Sequence, residues 1–215
     1  SKVTHPISIL HDLKAINTII MKNVNMYNII NISHVFSNLQ SLTSLDISYL
    51  NISLLTNLEY MFSDCINLID IKLSNIDTSH IENMSGMFYN CKSLSSLDLS
   101  RIIIDNVNDI SYMFGNCISF TKLNLSTFNT SNIINMKSIF EGCDGLKTLD
   151  VSNWDFSNVI HPILIFHDLK TINSIIMKNA NIYNIINISH IFSNLTTLSS
   201  LDISHLNISS ITNID

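Results

Sequence analysis

Charge is scarce in this chain, and so are the residues that usually break a chain into turns. Only 13% of the 215 residues are Asp, Glu, Lys or Arg, about half the share of an average soluble domain. There are four glycines, two prolines and one tryptophan, and Arg101 is the sole arginine. Low charge combined with 46% apolar residues excludes intrinsic disorder. Cations are outnumbered, 11 Lys and Arg against 17 Asp and Glu, which argues against nucleic acid or an anionic membrane as the main partner. A run of about 18 apolar residues, the minimum for a spanning helix, does not occur. Ser1 to Ile9 carry no charged-then-apolar pattern, so an export signal is expected outside this segment.

What is abundant is isoleucine (38) and asparagine (29), against two alanines. Residues with AT-rich codons are favoured throughout, which reads as a genome bias. It lowers the weight of the eight Asn-x-Ser/Thr sequons, such as Asn83-Met84-Ser85.

Periodicity decides the architecture. Phenylalanines stand at 36, 62, 88, 114, 140, 166 and 192, each 26 residues from the last, with Leu10 one step earlier. Three residues after each anchor come Leu13, Leu39, Cys65, Cys91, Cys117, Cys143, Leu169 and Leu195. A longer repeat overlies this one. Residues 5–59 match residues 161–215 at 40 of 55 positions, an offset of 156 or six times 26. Residues 1–215 are therefore expected to form a single solenoid, a fragment of a longer array.

Within a repeat, Met84, Met87, Phe88 and Cys91 have the spacing of one helix face. Asn83, like Asn57, Asn135, Asn187 and Asn213, stands where an N-cap would. His5-Pro6 and His161-Pro162 take that place in two repeats, with proline at the first helical position. Asn90, Asn116 and Gly142 suit a helix that stops after about two turns. Leu97 and Leu99 then alternate with Ser96, Asp98 and Ser100 as a short strand. Strands stack about 4.8 Å apart and helices about 8–10 Å, so the strand side is expected to be concave, a parallel sheet about 35–40 Å long.

The run Leu94-x-x-Leu97-x-Leu99 has the leucine-rich repeat pattern. Asn83-Met-Ser-Gly-Met-Phe-Tyr-Asn-Cys91, Leu94 to Ser100 and Phe128-Asn-Thr-Ser-Asn-Ile-Ile-Asn-Met136 closely resemble the BspA-like leucine-rich repeat family. The match runs through the whole chain and is strongest from Asn57 to Val159. The resemblance implies surface-displayed proteins that bind host or matrix proteins, an analogy at the level of fold. The expected class is an α/β leucine-rich repeat solenoid of about eight 26-residue repeats, with a parallel sheet on the concave face and short helices on the convex face.

Candidate chemistry is thin. Cys65, Cys91, Cys117 and Cys143 share a column in which other repeats place Leu, so they read as buried free thiols and not as ligands or disulfides. His11 and His167, like His34 and His190, are copies six repeats apart, and no nucleophile–base grouping is visible. Trp154 shares a column with Phe128 and Leu206 and reads as core. No catalytic residue, metal or cofactor is expected.

The strand's outward column, ten residues after each anchor, holds Asp46, Lys72, Asp98, Asn124, Asp150 and Asp202, with Ile at 20 and 176. It supports two readings: charge spacing that keeps a sheet soluble, or a mixed polar binding face joined by Tyr49, Arg101, Lys122 and His205. The expected function is a non-enzymatic protein-interaction module, displayed on a cell surface or secreted, with protein ligands. An intracellular scaffold or adaptor is the alternative.

Overall fold

A computed structural model of the chain describes residues 10, 13–24, 29, 31–160, 164–185 and 191–212. The segment around each recurring phenylalanine sends its amides in two directions. The N–H of Phe36 donates to Met61 O at 3.0 Å, one coil further on, and that of Asn38 to Ser63 O at 2.8 Å. The intervening amides stay local: Val35 donates to Ile32 O and Ser37 to His34 O. The axial pattern recurs from Phe62 to Met87, from Phe88 to Met113 and from Phe114 to Ile139.

These segments are stacked turns. The short helices expected on one face are not seen: among the described residues no α-helix occurs, and Leu164 alone lies in a 3-10 turn. The reason lies in the backbone. Asn38, Asp64, Asn90, Asn116, Gly142, Asp168 and Asn194, each two residues after an anchor, have φ between 58 and 68°. An α-helix cannot run through a left-handed residue, and amides given to the next coil cannot also bond four residues back. Met84, Met87, Phe88 and Cys91 are nonetheless buried, because the local bonds close tight turns that bring the same side chains inward. Asn57, Asn83 and Asn135 do cap, each accepting the N–H two residues on, from Glu59, Ser85 and Lys137. The capped unit is a turn. The expectations for His5-Pro6, His161-Pro162, Asn187 and Asn213 lie outside the described residues.

The strands are three residues long: β1 Thr18–Ile20, β2 Ser44–Asp46, β3 Asp70–Lys72, β4 Thr148–Asp150, β5 Ser174–Ile176 and β6 Ser200–Asp202. They pair in parallel at a constant step of 26, for example Leu45 with Ile71, as two three-stranded sheets, β1-β2-β3 and β4-β5-β6. The fold is a parallel-sheet β-solenoid of about seven turns.

One continuous strand sheet was expected, and here the structure corrects the sequence reading. Residues 96–98 and 122–124 hold the strand register but have no ladder between β3 and β4. In those middle coils the parallel bridges lie on the turn side, Asn57–Asn83, Asn83–Asp109 and Asp109–Asn135. With turns bonded coil to coil, both sides stack at about the strand spacing of 4.8 Å. The thick helical layer that was to make the strand side concave is not formed among the described residues.

Phe36, Phe62, Phe88, Phe114 and Phe140 form one stack, with centroids 5.3–6.1 Å apart. Trp154 continues it from Phe140 at 6.1 Å, and Phe166 stacks on Phe192 at 5.7 Å. Trp154 is core, as its column implied.

Two measurements check this account. Phe88→Ala, in the middle of the stack, should cost about 3–5 kcal/mol, read as a drop in the urea midpoint. Asn75 is exposed with φ 59°. Asn75→Val should cost about 1–2 kcal/mol, whereas Asn75→Gly should leave the midpoint close to wild type.

Candidate functional site

The outward strand column is built on corners. At the end of each strand the chain turns away, and the amide two residues on needs an acceptor. Asp46 accepts it from Ser48 at 3.1 Å, Asp98 from Ser100 at 3.0 Å, Asn124 from Ser126 at 3.1 Å, Asp150 from Ser152 at 2.9 Å and Asp202 from Ser204 at 2.9 Å. Serine hydrogen bonds hold the carboxyls of Asp46, Asp98 and Asp202 below the usual carboxylate range. Asp46 also meets the Lys22 ammonium at 3.2 Å. These side chains therefore form part of the scaffold of the face.

The same device explains most of the sequons. Asn31, Asn51, Asn83, Asn124, Asn129 and Asn207 each accept the N–H of the serine two residues later. The Asn-x-Ser triplet is a corner motif of this coil.

The structure brings some of the expected face residues together. Lys72, Asp98 and Arg101 line a hollow of about 230 Å³ with Asp70, where the strand ladder is interrupted. Asn124 and Asp150 line a second hollow of about 180 Å³ with Ser126 and Ser152. Tyr49 stands exposed at a corner with φ 62°, and Lys122 is exposed two residues before Asn124. Neither reaches these hollows, nor does Asp202, and Asp46 is buried. A broader, shallow hollow of about 780 Å³ lies on the return side, lined by residues including Leu54, Thr56, His80, Glu82, Asn106 and Asn108.

Sequence reasoning missed an aromatic strip on the turn side. His34 stacks on Tyr60 at 5.3 Å, Tyr60 meets Tyr89 edge-on at 6.1 Å, Tyr89 meets Tyr112 at 6.2 Å, and the Lys137 ammonium lies 5.7 Å from the Tyr112 ring. The signal was in the glycines. A Cβ on Gly86 would sit 2.2 Å from the Tyr60 ring, and one on Gly115 2.9 Å from Tyr89. Each glycine makes room for a tyrosine of the preceding coil.

The four cysteines are free and buried. Each Sγ–H donates to the carbonyl of a phenylalanine one coil back: Cys65 to Phe36 at 2.9 Å, Cys91 to Phe62 at 3.2 Å, Cys117 to Phe88 at 3.1 Å and Cys143 to Phe114 at 3.0 Å. Burial pushes Cys65 and Cys143 up to about 12, and Cys91 and Cys117 well above the ordinary thiol value. Thiols held neutral are neither nucleophiles nor metal ligands. No group of three or more His, Cys, Asp or Glu side chains able to hold a metal converges among the described residues. No helix among them is long and apolar enough to cross a membrane.

The family model described as "Mycoplasma protein of unknown function, DUF285" matches residues 7–122 and again 108–215. No curated protein matches the chain. Among solved structures, a leucine-rich repeat protein of T. pallidum is 14% identical, with 80% of this chain and 77% of that one covered and a TM-score of 0.44. An internalin of Listeria monocytogenes is 15% identical, with 94% and 87% covered and a TM-score of 0.22.

The thiol geometry has a direct test. In native buffer Ellman's reagent should find almost no reactive thiol, and after unfolding it should find four. The folded pKa exceeds the 9.0 of a free thiol, so the unfolded chain gives up these protons first. Their contribution to stability is whole below pH 9 and is lost as the pH rises towards 12, which an alkaline unfolding series should show.

Proposed function

The chain belongs to the DUF285 family, and on that premise we propose that it is a protein-interaction module whose reading surface is the strand face of the middle coils. The observation that carries this reading is a division of labour on that face. Asp98, Asn124 and Asp150 are held by corner serines, while Lys72, Arg101 and Lys122 stand exposed beside them. Fixed corners under exposed, chemically varied side chains make a preformed surface. Such a surface loses little conformational freedom on binding. Tyr49 extends it with an exposed ring.

The resemblance of Asn83 to Ser100 to BspA-like repeats supports display on a cell surface and adhesion to host or matrix proteins, with this segment forming part of a longer array. The reading is non-enzymatic, in keeping with cysteines that are buried and held neutral. One observation favours the alternative, an intracellular scaffold using the same face: none of the four cysteines is in a disulfide. Protease shaving of intact cells separates the two, since only a displayed protein is cut.

Binding to immobilised matrix proteins tests the face itself. Lys72→Ala, Arg101→Ala and Lys122→Ala together should weaken binding by about tenfold or more, with the unfolding midpoint unchanged. Unchanged binding would remove this face from the account.

A further inference from the structure

The aromatic strip on the turn side takes no part in the proposed reading face. His34, Tyr60 and Tyr112 belong to one column of the repeat, and Gly86 stands in that column between the two tyrosines. Tyr89 belongs to the column three residues further on, where Gly115 follows it one coil later. The Tyr60 ring fills the space over Gly86, and the Tyr89 ring the space over Gly115. Tyr89 is thereby set crosswise between its neighbours, at 74° to Tyr60 and 86° to Tyr112. The three tyrosines are half-buried, and His34 at the head of the strip is exposed.

The structure itself shows what such a ring accepts. The Lys137 ammonium lies 5.7 Å from the Tyr112 centroid, within the range at which a ring face attracts a cation. Among the described residues Tyr60 and Tyr89 hold no such ammonium. Carboxylates surround them instead. Burial, then the charge of Glu59, the neighbouring tyrosines and Asp109, hold the Tyr60 hydroxyl above its ordinary value. The N–H of Asp64 donates to Tyr89 O at 2.8 Å. The Asp64 carboxylate accepts from the Asn90 amide, and that of Asp109 from the Asn135 amide and the Ser111 hydroxyl. These partners are neutral, so the negative charge stays in place. Among the described residues Glu59, Asp64 and Asp109 are in no ion pair.

We propose that this strip docks a basic segment of a partner protein, laid along the solenoid axis in extended conformation, with lysine or arginine side chains on Tyr60 and Tyr89 and beside Glu59, Asp64 and Asp109. The spacing selects a chain over a single small cation. Successive ring centroids from His34 to Tyr112 are 5.3, 6.1 and 6.2 Å apart. Alternate side chains of an extended strand are roughly 6.6 Å apart, twice the rise per residue. Cations at every second position therefore meet successive rings. Charge complementarity selects the same partner, because the chain carries a net charge of −6 and steers basic segments towards it.

Fluorescence anisotropy on the full chain tests this with a labelled peptide in which four lysines alternate with four serines. The reference is the same peptide with glutamine in place of lysine. Wild type should bind the lysine peptide about tenfold tighter or more. Tyr89→Leu keeps the bulk and the net charge but removes the ring, and should lose about tenfold, while Tyr89→Phe should bind like wild type. Gly115→Ala keeps every ring but puts a Cβ 2.9 Å from Tyr89. It should weaken binding in the same direction, and it serves if Tyr89→Leu fails to fold. Lysines gathered into one block of the same composition should bind several-fold more weakly than lysines that alternate. Replacing Lys72, Arg101 and Lys122 together by Ala should leave this binding intact, which separates the strip from the strand face. Equal binding of the lysine and glutamine peptides overturns the proposal. So does undiminished binding by Tyr89→Leu or Gly115→Ala with a wild-type circular dichroism spectrum, since net charge alone would then account for the attraction. Equal binding of the blocked and alternating peptides overturns the extended register.

Discussion

Backbone hydrogen bonds that run along the solenoid axis are the constraint on which the rest of the structure depends. Each coil shares many of its amides with the neighbouring coils, on the strand side at the two ends and on the turn side from His34 through the middle coils. No coil could fold by itself, since its donors would then lack acceptors and its phenylalanine would lack a neighbour to stack on. The invariant step of 26 follows. One inserted residue would move every donor in that coil off its acceptor.

Axial bonding imposes a second requirement, which the chain meets with asparagine, aspartate and serine in place of glycine and proline. A coil of this length has several corners, and each corner leaves an amide pointing into the bend. An Asn or Asp side chain takes it, and a serine two residues later commonly supplies it. Most left-handed positions are filled by Asn or Asp, which tolerate that conformation better than most, with Tyr49, Tyr60, Tyr112, His34 and His205 among the others. The surface consequence is that carboxylates which look available for a partner are already committed. Lys72, Arg101 and Lys122 are cations on the strand face that hold no corner.

Much of the fold was legible. The stacked phenylalanines, the buried thiols, the core place of Trp154 and the unbroken register all follow from columns that keep one chemical character over many repeats. Asn90 and Asn116 were legible as terminators and do adopt the left-handed conformation. The helix was not legible as absent. Met84, Met87, Phe88 and Cys91 have the burial pattern of a helix face, and tight turns closed by bonds three residues back bury the same set. Burial periodicity reports which side chains point inward, and it is silent on where the amides go. The proposed binding face was half legible: its outward column could be placed on the strand side, but the corner role of its aspartates depends on serine amides whose direction is set only by the turn.

From sequence alone came the repeat length, the residues that face inward and the solenoid architecture, because each is a one-dimensional pattern that stacking must respect. The tertiary structure decided which side of each coil is hydrogen-bonded to its neighbour, that the strand ladder breaks between β3 and β4, and which polar side chains are consumed as acceptors. Those choices depend on distances between residues 26 apart, and a periodic sequence looks the same whichever side closes.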